Sequence, residues 1–232
     1  MAWMREKYDI LHFLWVDDDL FHRNALALFE AIAKRKLGIT WEASNGVIAS
    51  ATTDEITHAA AESGCIGLHF GIESGNEDIL RAVKKPSGIK HFLKVGELMK
   101  KYPQIYTRGM LMLGFRDIGG SGKNETIGQI RDTISLGLEI KLDWYPIQIV
   151  QFLGNTAMTK AMIKRGSINE QTIVDATFFV GAFGDLVKRE RKEKEHAREF
   201  CGDLLDRPAD YEPTDAEIRD LWVPIDYKLN YE

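Results

Sequence analysis

The sequence predicts an α/β fold, an incomplete parallel (β/α) barrel followed by a helical C-terminal region. Three observations predict it. Five short apolar runs recur at roughly 30-residue intervals, the spacing of βαβ crossovers. Each of the first four is followed by a stretch whose apolar residues repeat at helical spacing. The alternation then stops near Asn155. A complete eight-stranded barrel takes about 250 residues, and five units fill about 150, so the sheet is either open or part of a barrel. The expected division is a barrel-like domain over 1–154 and a helical region over 155–232.

Residues 1–9 read as the end of a helix or a frayed start. Ile10–Val16 is a continuous apolar run, the pattern of a strand covered on both faces, and it stops at Asp17-Asp18-Asp19. Leu26, Phe29, Ile32 and Ala33 mark one face of a helix closed by Gly38. Ile39–Ser44 is the second strand, ended by Asn45-Gly46. Thr52 with Glu55 makes a capping box for a helix that stops at Gly64. Ile66–Gly75 is the third strand and the centre of the pattern: an apolar run that ends in Glu73, Ser74 and Gly75, with Asn76 capping the helix after it. That helical stretch runs to Lys101 and is broken at Pro86 and Gly88. Ile105–Phe115 is the fourth strand. Ile127, Ile130 and Ile134 mark the next helix, and Leu142–Phe152 is the fifth strand. Beyond it, Met158, Met162 and Ile163 suggest one helix, Asp185–Leu205 a longer charged one, and Thr214 with Glu217 caps a last short one. The run from Lys188 to Arg198 alternates in sign and reads as a solvated face.

Composition narrows the function classes. The chain has 232 residues, 44% hydrophobic and 28% charged, with a net charge of −5. Both charge signs are interspersed, which leaves no basic footprint for nucleic acid. No apolar stretch approaches the roughly 20 residues of a membrane span, and Met1–Lys7 has no apolar signal core. The two cysteines, Cys65 and Cys201, are too few and too far apart for a disulfide framework or a zinc ribbon. The expected compartment is a reducing cytoplasm.

In parallel α/β folds ligands are held at the carboxyl ends of the strands, where the βα loops meet. Those ends deliver Asp17, Asp18 and Asp19, then Ser44 and Asn45, Glu73 and Ser74, Gly114, and Gln148 with Gln151. Successive residues of a strand face opposite sides, so at most two of the three aspartates share a cavity. A carboxylate rim suits an ammonium group, ribose hydroxyls or a hard metal ion. The alternative for each aspartate is to cap the helix that follows it. For Glu73 it is to cap the next turn or pair with a lysine. His69 and His12, flanked by apolar residues, read as core histidines, and Trp41 and Trp144 as core.

In order and spacing, several segments resemble radical S-adenosylmethionine (SAM) enzymes, in particular the class often fused to a cobalamin-binding domain. They are Val16–Phe21, Ile39–Ser44, Thr53-Asp54-Glu55, Ala61–Cys65 leading into Phe70–Gly75, Lys84-Lys85-Pro86, Gly109–Phe115 and Glu125-Thr126. The resemblance runs from about Ile10 to Gly166. It implies a partial barrel, a [4Fe-4S] cluster that cleaves SAM reductively, and a possible cobalamin. It further implies that Asp17–Asp19 meet the methionine amino group, that Asn45, Glu73 and Ser74 contact the carboxylate or ribose, and that Gly114 ends the wall beside the adenosine.

Three departures accompany it. The family's Cys-x3-Cys-x2-Cys motif does not occur in this sequence, and the match begins at the family's second strand. The resemblance therefore implies either a missing N-terminal segment or partner chain that completes the barrel, or a non-catalytic descendant holding a nucleoside-like ligand or a partner. The loop Phe115–Thr126 is also longer and richer in glycine than the family's. Its Gly122-Lys123 suggests a phosphate-binding loop, but Asp117 and Asn124 stand where that motif needs glycine and a hydroxyl, so a surface insertion is the expected reading.

Overall fold

The computed structural model describes residues 1–17, 19–22, 24–171 and 203–232. Asp18, Cys201, the Lys188–Arg198 run and nearly all of the helix expected at Asp185–Leu205 lie outside them. The elements are α1 (Ala2–Tyr8), β1 (His12–Trp15), α2 (Ala25–Lys34), β2 (Thr40–Val47), α3 (Asp54–Glu62), β3 (Cys65–Glu73), α4 (Glu77–Ala82), α5 (Ile89–Met99), β4 (Tyr106–Leu113), α6 (Ile127–Ile140), β5 (Ile147–Ile149), α7 (Ala157–Lys164) and, at the C-terminus, α8 (Asp215–Asn230). The sheet order is β1-β2-β3-β4-β5, and the pairings β1·β2, β2·β3 and β3·β4 are parallel. Sequential parallel strands joined by helices are the topology of half a (β/α) barrel.

The chain divides into two compact units. The first comprises Met1–Glu73, Lys85–Leu111 and Ser135–Pro146, and the second Ser74–Lys84, Met112–Ile134 and Ile147–Glu232.

In the first unit the strands bury Trp41, Ala43, Leu68, Phe70 and Ile72. Trp41 stacks on Phe29 of α2 with ring centroids 5.0 Å apart. Its indole N–H donates to the Ser63 carbonyl and hydroxyl, so the burial leaves no orphaned donor. The register Glu42↔Gly67↔Tyr106 and His69↔Arg108 sets Glu42, Gly67, His69, Tyr106 and Arg108 on the opposite face. β1 stands at the sheet edge, with Leu14 57% and Val16 74% exposed. The first helix buries no residue.

In the second unit Ile79, Ile127, Ile130, Ile218, Leu221 and Ile225 form the core. Trp222 of α8 donates to the Ile147 carbonyl at 2.7 Å, tying that helix to β5. The last helix is not short: it runs 16 residues from the expected capping box of Thr214 and Glu217.

Two local expectations change. The cap of α3 is Thr53, which accepts from the Ile56 amide; Thr52 instead donates to the Ile48 carbonyl at 3.0 Å and closes a 3-10 turn. The fifth strand shrinks from Leu142–Phe152 to three residues. Pro146 has no N–H for the ladder, and Asp143 turns its carboxylate onto the Thr107 amide and hydroxyl at 2.7 and 2.6 Å. The glycine-rich loop is pinned by carboxylates: Asp117, within it, accepts from the Gly122 amide, and Glu212, from outside it, accepts from the Asn124 amide. Asp117 is also ion-paired with Arg165, which donates to the Gly120 carbonyl. Two loop amides that a bound phosphate would use are thus already occupied by anions.

Candidate functional site

The carboxyl ends of β2 and β3 and the loop between α4 and α5 enclose a cavity of about 150 Å³ in the first unit. Asn45, Gly71, Glu73, Lys85, Ser87 and Met110 are among its lining residues. Within that lining the Lys85 ammonium lies 2.9 Å from Glu73 Oε1. Both side chains are about four-fifths buried, at 22% and 23% exposure, so the pair is screened less than a surface pair.

The local sequence builds this pair. A register shift separates Gly71 from Glu73, and Glu73 takes a left-handed backbone with φ +67°. A bulge re-aims a side chain, and left-handed backbone at a residue other than glycine, asparagine or aspartate is uncommon and costs free energy. Gly71 leaves the space. A Cβ there would stand 2.7 Å from Lys85 Nζ and 2.8 Å from Glu73 Oε1. Lys85 comes from the turn broken by Pro86. The neighbouring Ser87 hydroxyl accepts from the Ser50 amide and holds that turn near the end of β2.

The residues expected at the rim are distributed unevenly. Asn45 and Glu73 meet at this cavity. Asp17 and Asp19 are not among its lining; Asp17 accepts from the Asp19 amide at 3.1 Å, and Asp19 Oδ1 is buried without a hydrogen-bond partner among the described residues. Ser74 is fully buried, sharing a hydrogen bond with the Thr133 hydroxyl and accepting from the Asn76 amide. Gly114 belongs to the second unit, with φ +84°, and its amide donates to Glu125 Oε2 at 2.6 Å. Ser44 donates to the Trp15 carbonyl and so ties β2 to β1.

Lys85, Ser87 and Met110 were not among the expected site residues. The segment Lys84-Lys85-Pro86 signalled the first two, because a proline-broken turn after a strand end carries its lysine back toward that end. His69 is buried as expected, but only one of its ring nitrogens is satisfied. His12 is not a core residue: its side chain is 43% exposed on the edge strand.

A [4Fe-4S] cluster needs thiolates. Cys65 is buried at the start of β3, and burial, with a smaller push from the Glu42 carboxylate, raises its thiol to about 12. It is an inert core thiol, and the described residues do not fit the cluster. No described helix is long and apolar enough to cross a membrane.

No family model matches the chain. Over 140 residues, 60% of this chain and 28% of the relative, it is 26% identical to an uncharacterized methyltransferase of Pyrococcus horikoshii. Among solved structures, it resembles the radical SAM methyltransferase TsrM from Kitasatospora setae with cobalamin and a [4Fe-4S] cluster bound. The TM-score is 0.61 at 15% identity over 71% of this chain and 32% of that one. The same enzyme with tryptophan substrate and a SAM analogue bound gives 0.60. The chain therefore spans about a third of the length of these proteins. The structural likeness establishes the fold: an incomplete parallel (β/α) barrel of the radical SAM kind.

Proposed function

We propose that the chain is the SAM-holding part of a radical SAM methyltransferase, acting on a substrate set by segments other than this barrel. The observation that carries the reading is the Glu73–Lys85 pair bent over Gly71 at the carboxyl end of β3. The cavity, about 150 Å³, has room for a small polar group such as an α-amino-carboxylate. Glu73 and Asn45 accept from the ammonium or hydroxyl donors of SAM, and Lys85 faces its carboxylate. Strain at Glu73 fits a site where positioning outweighs local stability. The relative's methyltransferase name and the cobalamin in TsrM support methyl transfer with cobalamin as a possible further cofactor.

The cluster would supply the electron that cleaves SAM. Since the described residues do not hold it, its cysteines come from a segment or partner chain beyond this barrel. The exposed edge of β1 is where such a strand would add. A second reading, a non-catalytic barrel holding a nucleoside-like ligand or a partner chain, is favoured by the inert Cys65.

The test is calorimetric titration of SAM and S-adenosylhomocysteine into the chain and into Glu73→Gln, with thermal unfolding as the control. A hydrogen bond to a charged group is worth roughly 1.5–3 kcal/mol, so affinity should fall about ten- to a hundredfold while the fold persists. Equal affinity in the two forms, or no binding by the unmodified chain, overturns the assignment of this cavity.

A further inference from the structure

The end of β2 carries chemistry that needs no ligand. Between the pairs Ala43↔Leu68 and Val47↔Phe70 the register slips, so Ser44, Asn45 and Gly46 together stand opposite His69 alone. On the other side the pairing with β1 stops at Trp15↔Ala43. Asn45 and Gly46 therefore have no paired residue on either neighbouring strand. Such a bulge leaves its extra residues outside the ladder.

The foot of the bulge is held and its apex is not. The Ser44 hydroxyl donates to the Trp15 carbonyl at 3.1 Å, and the Ser44 carbonyl lies 3.0 Å from His69 Nδ1. Asn45 is exposed, and its side chain makes no hydrogen bond among the described residues. Gly46 follows with φ +98°. Without a Cβ its nitrogen is unhindered, and its backbone rotates at little steric cost. Of the seven asparagines in the sequence, Asn45 alone precedes a glycine. Asn76 shows the opposite arrangement. Its Oδ1 accepts from the Asp78 and Ile79 amides and its Nδ2 donates to Asp132, so that side chain is tethered at both ends.

A carboxamide one bond removed from the next residue's backbone nitrogen is a latent electrophile, and asparagine is among the heat-labile residues for this reason. We propose that Asn45-Gly46 is a self-modifying site, at which the chain deamidates and adds a second carboxylate to the lining of the Glu73 cavity. The Gly46 nitrogen, after giving its proton to hydroxide, attacks Asn45 Cγ. The N–Cγ bond forms, the Cγ–Nδ2 bond breaks, and the side-chain nitrogen takes a proton from water and leaves as ammonia. Water then opens the resulting ring at one of its two carbonyls. The product is aspartate or, where the main chain now runs through the side chain, isoaspartate. Nothing is oxidised or reduced.

The consequence falls on the cavity, which Asn45 lines together with Glu73 and Lys85. One acid and one base become two acids and one base. The Lys85 ammonium then serves two carboxylates that repel each other, and the isoaspartate form also lengthens the bulge by one methylene. The step does not rest on SAM binding, and its failure would leave the reading of the cavity untouched.

The experiment ages the purified full chain at 37 °C and pH 8.5 and follows every asparagine by peptide mass spectrometry, in native buffer and in urea. Asn45 should gain one dalton as a mixture of aspartate and isoaspartate. It should do so at least about tenfold faster than Asn76, whose oxygen must first give up two amide hydrogen bonds. The folded chain should convert at Asn45 less than about tenfold more slowly than the chain in urea, since no ladder has to open there. Conversion should slow at pH 6, where hydroxide is scarcer. It should vanish in Asn45→Gln, whose longer side chain would have to close a larger ring, with circular dichroism unchanged. Conversion at Asn45 no faster than at Asn76, or protection in the folded chain of more than about tenfold, overturns the proposal.

Discussion

Glu125 gives the sharpest test of how the second unit is held together. Its carboxyl is fully buried, Oε2 accepts from the Gly114 and Phe115 amides at 2.6 and 3.3 Å, and Oε1 has no partner among the described residues. Burial raises the acid to about 7 against the pull of those amides and of Arg116. From an ordinary value of 4.5, that is about 3 kcal/mol against the charged form. The folded protein binds this proton more tightly than the unfolded chain. Its contribution to stability is therefore full below about pH 4.5, declines as pH rises through about 7, and is flat above. Glu125→Gln keeps an oxygen for the two amides and removes the titration. It adds a pH-independent cost of roughly 1–3 kcal/mol for an amide group where Oε1 now has no partner. The offset is irrelevant to the test, which is the slope. Urea unfolding of both proteins from pH 4.5 to 8 should show the stability difference moving toward the variant by about 3 kcal/mol. A difference that stays constant across that range would refute the claim that burial dominates at Glu125.

Two glycine substitutions separate the site from the scaffold. In Gly71→Ala the new Cβ meets only the ends of the Lys85 and Glu73 side chains, so stability should change by less than about 1 kcal/mol while SAM affinity falls about tenfold; unchanged titration curves would count against the pocket. In Gly75→Ala it meets backbone, 2.3 Å from the Asp132 carbonyl oxygen and 2.6 Å from Thr133 Cα, and unfolding should occur about 3 kcal/mol sooner; a stable variant in urea titration would contradict the packing. Anaerobic reconstitution of the chain alone should yield no stoichiometric four-iron cluster, and iron and sulfide near four per chain would disprove that expectation. The exposed apolar edge of β1 should make the chain self-associate, with Leu14→Lys and Val16→Lys restoring a monomer; a monodisperse unmodified chain in light scattering would argue the other way.

The fold was legible where one local signal sufficed. Ile10–Val16 and Ile66–Glu73 are apolar runs closed by charged residues, and each became a strand in the expected order. Asn76 and Thr214 carried their caps in their own chemistry. Legibility failed where two residues satisfied the same rule or where a distant partner decided. Thr52 with Glu55 fits the capping-box spacing, yet Thr53 caps, since the Ile48 carbonyl draws the Thr52 hydroxyl backwards. The fifth strand looked long because its composition is apolar. The Asp143 carboxylate serves β4 instead, and only three residues keep the strand.

The site shows the same division at finer scale. Glu73 and Ser74 are consecutive, both polar, both at the end of one strand, and no rule of spacing distinguishes them. What does so is backbone: the bulge and the left-handed φ turn Glu73 back over Gly71 toward Lys85, whereas Ser74 is enclosed and spends its hydroxyl on Thr133 and Asn76. The His12–Glu42–His69 row lies further beyond reach of the sequence. Its members are 30 and 27 residues apart, and they become neighbours only through the stagger of three parallel strands. Each histidine read alone is an apolar-flanked ring, and nothing in its own segment announces the carboxylate beside it. A strand end can thus be located from the sequence, but the side chain that faces the cavity is selected by a backbone conformation that the residue types do not announce.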